Sequence, residues 1–233
     1  MEDEGTIYRR DVLDHGFIRL VDYMGSDLSV VRAARTSYDA AWRAGDDEGS
    51  DRRLINYLWK NNHSTPFEAA TVTFEVKAPI FVFRQWHRHR TQAYNELSAR
   101  YKELPEEFYV PSPEVIGLQS KNSKQARDLS GGVATEDQEA ASEYIRVACE
   151  KAFQVYHLLL SQGTPRELAR LVLPVGTYSH MFTTMNLLNA MKFLTLRTHP
   201  HAQWEIQQYA RAMFDLLKPV FPVCMNVWDV TRA

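Results

Sequence analysis

Thr71-Val-Thr-Phe-Glu-Val-Lys77 and the run that follows it, Ala78-Pro-Ile-Phe-Val-Phe-Arg-Gln-Trp-His-Arg-His-Arg90, decide the fold, because the periodicity changes between them. Val72, Phe74 and Val76 alternate with Thr73, Glu75 and Lys77, the two-residue period of a strand with one buried face. Pro79 stops that strand, having no N–H for the ladder, and suits the first position of a helix, where the missing donor costs nothing. The spacing predicts a helix from Ile80 to about His87, with arginines at its C-terminal end. Strand, short helix and charged loop together place ligand-binding groups on a firm support.

The charge pattern says what the support is for. From Arg84 to Tyr101 there are four arginines and one carboxylate, Glu96, in a chain of 27 basic and 29 acidic side chains. An anionic ligand is the simplest reason for that concentration, because the guanidinium fork makes paired, charge-assisted hydrogen bonds to phosphate or carboxylate. A solvated face with surface ion pairs is the bland alternative. Against it, Glu96 is the only nearby acid, and Trp86, Tyr94 and Tyr101 are interleaved as rings for a planar partner. Nucleic acids need the same ingredients. The net charge of −2 and the lack of a basic stripe favour a small nucleotide over a polymer.

Outward from this stretch, Phe17–Val21 reads as a short strand ending in a turn at Asp22–Gly25. Ser26–Arg35 and Asp51–Asn62 read as helices, the second with Leu54, Ile55, Leu58 and Trp59 on one face. Thr135-Glu-Asp-Gln138 reads as a capping box opening a helix with Ala140, Tyr144, Val147, Ala148, Ala152, Val155 and Leu159 at helical spacing, ended by Gly163. Thr164-Pro-Arg-Glu167 carries the cap, first-turn proline and box glutamate of another. Val175–Thr183 is strand-like, Asn186–Arg197 helical, and His201–Leu217 the last long helix. Strands early and in the middle, with helices concentrated later, predict an α+β fold: a mixed or antiparallel sheet packed with several helices. Without repeats or linkers, residues 1–233 are expected to form a single catalytic domain. The polar stretch 111–135 is expected to be a mobile loop.

With 233 residues, 45% hydrophobic and 24% charged, the chain can bury a core without disulfides or structural metals. Its two cysteines, Cys149 and Cys224, have no metal-binding spacing. Cys224, in Phe-Pro-Val-Cys-Met, reads as an inert core thiol whose pKa is raised by burial. The acidic N-terminus and the lack of an apolar run of roughly 18–20 residues predict a cytoplasmic protein with no membrane partner. Ser98 with His89 as base would be a nucleophilic pair, but Glu-Leu-Ser-Ala-Arg lacks the G-x-S-x-G elbow, so Ser98 reads as a hydrogen-bond partner. His87, His89, His199 and His201 have no adjacent carboxylate, and arginines beside the first two repel cations, so no metal site is expected. No Walker A or dinucleotide glycine fingerprint is present.

Arg88-His-Arg90, seven residues, then Ser98, extended by Asn95-Glu-Leu97 and Arg100-Tyr101, resembles the signature of the flavin-dependent thymidylate synthases. Similar segments run along the chain: His15-Gly-Phe17, Val31-Arg-Ala-Ala-Arg35, His63-Ser-Thr-Pro-Phe-Glu68, Val76–Val82, Pro165–Arg170 and His201–Tyr209. The resemblance implies that family's fold and its reaction. There dUMP becomes dTMP with methylenetetrahydrofolate as carbon donor, NADPH as reductant and FAD as hydride carrier, in a homotetramer with shared active sites. It implies dUMP contacts from Gln85, Arg88, Glu96, Leu97, Ser98, Ala99, Arg100, Arg170 and Arg197. It implies FAD contacts from Thr65, Arg88, His89, Arg90, Glu96, Asn186, Leu188 and Lys192. His63 is expected near flavin and folate, and Arg197 to favour the ionised pyrimidine, with Ser98 binding substrate. Ala93, Leu188 and Lys192 depart from common family residues, which implies altered FAD affinity. Two alternatives remain: a thymidylate synthase using Cys224 as nucleophile, and a nucleotide or nucleic-acid binding module without catalysis.

Overall fold

Five strands, β1 (Arg9–Val12), β2 (Gly16–Met24), β3 (Thr71–Pro79), β4 (Ala93–Glu96) and β7 (Tyr178–Asn186), pair antiparallel in the order β1-β2-β3-β7-β4. A separate ribbon joins β5 (Leu118–Gln119) to β6 (Arg127–Asp128). Helices are α1 (Asp27–Arg35), α2 (Glu48–Lys60), α3 (Ile80–Trp86), α4 (Thr135–Ser161), α5 (Arg166–Ala169), α6 (Leu187–Arg197), α7 (Trp204–Leu217) and α8 (Pro222–Thr231). This computed structural model describes residues 8–121, 124–125, 127–129 and 134–231.

β3 sits mid-sheet, and its alternation sorts side chains as its sequence predicts: Val72, Phe74 and Val76 are fully buried. Ile18 and Leu20 of β2 and Met181 and Met185 of β7 join them, and α1, α2, α3, α6, α7 and α8 complete one core on that side. The opposite face mixes polar groups with Phe17 and Phe182, and carries a Thr73–Thr184 hydroxyl hydrogen bond of 2.9 Å and a His180–Glu75 pair at 2.8 Å. Pro79 closes β3 and serves as N-cap of α3, one residue earlier than its expected first-turn position. No described helix is long and apolar enough to cross a membrane.

Several local expectations give way to tertiary pairing. Asp22–Met24 is strand rather than turn, because a register irregularity after Leu20 lets this polar tip continue pairing with Thr71–Thr73. β7 starts at Tyr178, since the carbonyls of Val175 and Gly176 are taken by the N–H groups of Phe81 and Tyr109. Thr135 lies inside α4, whose N-cap is Ala134, so no capping box forms. Pro165 is likewise the N-cap of α5, which lasts four residues before a 3-10 turn over Arg170–Val172. α7 begins at Trp204, after a turn at His199–Ala202.

The predicted face of α4 is corrected too. Its buried residues are Cys149, Phe153 and Tyr156, the last two packed with Ala169, whereas Tyr144 and Val155 of the predicted row are exposed. The helix has two apolar rows, and this chain's own core uses the one with the larger rings. In the 111–135 segment, the described residues hold a 3-10 turn at Pro113–Val115 and the β5–β6 ribbon. Arg127 reaches the Val115 carbonyl at 2.6 Å and pairs with buried Glu205, while Gln138 donates to the Ile116 carbonyl at 2.8 Å.

Trp86, expected to stack on a ligand, is instead core: its relative exposure is 0%, and its ring lies 4.5 Å from Phe193. Its indole N–H donates to Gln92 at 3.0 Å. Trp86→Ala is therefore expected to cost about 3–5 kcal/mol in urea unfolding. A near-wild-type midpoint would return the indole to a ligand-facing role.

Candidate functional site

The phase of α3 divides the charged stretch between two faces. Residues three and four apart share a helix face, and Ile80, Phe83, Arg84 and His87 line one cavity of about 370 Å³. Its opposite wall is the exit of β4, Glu96-Leu-Ser-Ala99, with Arg170 from the turn after α5 and Ser179 from β7. The Leu97 N–H bonds the His180 carbonyl at 2.7 Å, carrying the exit segment along β7. The buried Ser179 hydroxyl donates to Glu96 Oε1 at 2.8 Å, which aims that carboxylate. The Ser98 hydroxyl accepts from the Arg100 N–H at 3.3 Å.

On the other face of the same turn, Gln85 and His89 meet Arg197 at the end of α6. The Arg197 Nε donates to His89 Nε2 at 2.8 Å, and its terminal nitrogens donate to the Gln85 side-chain oxygen at 3.3 Å and the Gln85 carbonyl at 2.9 Å. Nε2 can accept only if it carries no proton, so the network assigns His89 as neutral with Nδ1 protonated. Burial against Phe193 and the nearby Arg197 charge agree, lowering the His89 pKa to about 4. Burial, and then the Arg88 charge, also lower the Arg197 pKa. A guanidinium still stays charged, held here by neutral acceptors, and among the described residues no carboxylate pairs with it.

A third neighbourhood lies between α2 and α6. Leu188, Lys192, Thr195 and Leu196 of α6, with Leu58, Trp59, Asn62 and Ser64, line a cavity of about 540 Å³. Thr65 and His63 are exposed beside it in sequence, and the His63 ring meets Tyr57 edge-on at 5.6 Å. Asn186 is the N-cap of α6, its side-chain oxygen accepting from the Asn189 N–H at 2.9 Å. Together these can hold a partly apolar planar group with an anionic part near Lys192.

The expected nucleotide residues are thus not all in one place. Glu96–Ala99 and Arg170 share a cavity, Gln85, His89 and Arg197 form a separate cluster, and Arg88, Arg90 and Arg100 are exposed. Two readings of the charged stretch are corrected. Glu96 is not the only acid in reach, since Glu167 pairs with Arg100 at 3.3 Å, while Tyr101, 81% exposed, stays open to a partner. Tyr94 turns inward, donating to the His89 carbonyl at 2.6 Å, with its pKa pushed up to about 12 by burial. Sequence reasoning missed Arg84, His87 and Ser179 as cavity residues. The four-residue phase from Ile80 to Arg84 and the return to His87 carried that signal for the first two; Ser179 had none. Cys224 is buried in the core, its pKa raised well above the ordinary thiol value by burial and by Asp27.

Comparison with known proteins adds identity to this geometry. The family model described as thymidylate synthase complementing protein matches residues 19–223. A flavin-dependent thymidylate synthase of Thermotoga neapolitana is 46% identical over 91% of this chain and 89% of its own. One from Thermus thermophilus is 45% identical over 94% of this chain and 77% of its own. Among solved structures, the UMP/dUMP methylase PolB from Streptomyces cacaoi, bound with 5-Br dUMP, superposes with a TM-score of 0.84 at 39% identity, covering 95% of this chain and 97% of that one. The same protein bound with 5-Br UMP gives 0.83 at 38% identity, over 94% of this chain and 96% of that one. Motif, fold and relatives agree: the chain is an enzyme of the thymidylate synthase complementing protein family.

Proposed function

We propose that this enzyme reductively methylates dUMP to dTMP, with FAD as resident cofactor, methylenetetrahydrofolate as carbon donor and NADPH as reductant. The observation that carries the proposal is the cavity joining Glu96, Leu97, Ser98 and Ala99 to the distant Arg170. It offers cations for a phosphate, a hydroxyl and an aimed carboxylate in one space. Relatives named flavin-dependent thymidylate synthase and a dUMP methylase of the same fold support it. In this reading Arg84 and Arg170 hold phosphate, Arg88, Ser98, Leu97, Ala99 and Arg100 fix the nucleotide, and Gln85 and Arg197 address the uracil ring. Arg197 acts electrostatically, stabilising charge that develops on the base, because it cannot give up its own proton in this range. Neutral His89 and Gln85 position it. Bound FAD supplies the hydride. Leu188, Lys192, Asn186 and Thr65, with His89, Arg90 and Glu96, are the residues proposed to hold it, and His63 to lie near flavin and folate. No enzyme nucleophile is needed.

Because these residues occupy separate neighbourhoods of one chain, we propose that sites are completed between copies in a homotetramer. An exposed apolar row on α4 (Tyr144, Val155, Leu158) and Leu171 in the turn after α5 support such contacts. Sedimentation at micromolar concentration should show a tetramer; a stable monomer with full activity would remove the shared-site reading.

Purified protein incubated with FAD and desalted should keep a flavin spectrum that shifts with dUMP, and should form dTMP when NADPH and methylenetetrahydrofolate are added. A colourless protein that binds oligonucleotides with steep salt dependence would favour the binding-module alternative. Cys224→Ala should retain most turnover, whereas Arg88→Ala should lose dUMP binding and Ser98→Ala merely weaken it. Loss of turnover from the cysteine change alone would instead point to a thiol nucleophile.

His89 generates a pH prediction. Its folded pKa, about 4, lies below the ordinary 6.5, so folding favours the neutral ring. Its contribution is therefore fully present above about pH 6.5 and is lost as pH falls towards 4. His89→Gln, which offers an amide oxygen to Arg197, should flatten the stability profile between those values. Parallel profiles for the two proteins would count against the neutral-acceptor assignment.

A further inference from the structure

We propose that His87 is a further substrate-binding residue, whose imidazole accepts a hydrogen bond from the 3′-hydroxyl of the nucleotide sugar. The inference rests on reading the 370 Å³ cavity as the dUMP site. His87 caps the C-terminus of α3 and forms part of that cavity's wall, beside Glu96 and Ser98. Its ring is held on two sides, edge-on to Tyr94 at 4.7 Å and stacked on Phe83 at 6.2 Å. The polar contact of its ring among the described residues is Nε2 to the Met181 sulfur, at 3.3 Å. A thioether has no proton to give, so in this contact the ring nitrogen is the donor. In the neutral ring Nε2–H is then the protonated position, which leaves the lone pair on Nδ1 as the ring's acceptor. The neighbouring cavity acceptor, Glu96 Oε1, already takes the Ser179 hydroxyl.

The ligand's own chemistry selects the partner. Arg84 and Arg170 line the same cavity and suit a phosphate, while Arg197, Gln85 and His89 form the cluster that addresses the base. The part of a nucleotide next to its phosphate is the sugar, and in dUMP the sugar's one hydrogen-bond donor is the 3′-hydroxyl. A neutral acceptor held by packing reads such a donor without adding charge beside the phosphate-binding arginines.

The test compares dUMP with 2′,3′-dideoxyuridine monophosphate, which lacks that hydroxyl, by titrating FAD-loaded protein and fitting Kd. Wild type should bind dUMP more tightly, by roughly three- to tenfold for one neutral hydrogen bond. In His87→Phe, which keeps a ring against Tyr94 and Phe83, that preference should vanish through weaker dUMP binding alone. His87→Gln, which restores an acceptor, should recover part of it. Equal weakening of both ligands in His87→Phe would show a packing role and overturn the proposal. Imidazole nitrogen NMR on wild type needs no variant: the Nδ1 resonance should move with dUMP and not with the dideoxy analogue. Movement with both, or with neither while both bind, would also overturn it. Wild type that binds neither nucleotide would reject the dUMP-site reading itself, and this inference with it.

Discussion

Pairing of β3 with β7 along nine residues, from Thr71–Asn186 to Pro79–Tyr178, is the constraint on which the rest depends. Each strand runs without a loop into a helix, β3 through Pro79 into α3 and β7 through Asn186 into α6. Because the strands are antiparallel, those helices start at opposite ends of the sheet. Strands of this length span about 27 Å, and helices of seven and eleven residues about 10 and 16 Å. Helices that set out from the two ends and return over the sheet therefore finish near one another. That is how the end of α6 delivers Arg197 to Gln85 and His89. The register sets the meeting point, and the lengths of α3 and α6 make it reachable.

The same constraint explains why the charged stretch has two faces. α3 is anchored on its core side by Val82, Phe83 and Trp86, all buried, which fixes its rotation. Arg84 and His87 then turn towards the β4 exit, and Gln85 and His89 towards α6. Trp86 is thus spent on holding the helix in phase, so a ring flanked by arginines in sequence is a packing residue in space. Electrostatics follows from packing. His89 is kept neutral by its burial and by Arg197, and in turn gives that guanidinium an acceptor that does not neutralise it.

Legibility in the sequence tracked how local each cause was. β3, α1, α3 and α6 were readable because period and caps lie within the segment itself. β4, Ala93-Tyr-Asn-Glu96, has no apolar alternation and becomes strand because the edge of β7 accepts it. β1 is similar, a polar edge strand made by pairing with β2. α8 is apolar on most sides, so its sequence shows no face, and it was missed. For the site, the signature named Glu96 to Arg100, and family resemblance named Arg170 and Arg197. The partition into separate neighbourhoods was not legible, because it depends on helix phase past the end of α3 and on a partner far along the chain.

The central pairing also has a consequence for how the protein is made. Its ladder joins residues 111 apart in sequence, as in Thr73 and Thr184. During synthesis β2 and β3 can pair before the chain is complete, but the other edge of β3 waits for β7 to leave the ribosome. Until then that edge offers unpaired backbone beside Val72, Phe74 and Val76, apolar side chains whose cover from α6 and α7 is also still unmade. Contacts closed over so long a loop form slowly. The strand that organises the active enzyme is, for that interval, the part of the nascent chain most open to pairing with the wrong neighbour.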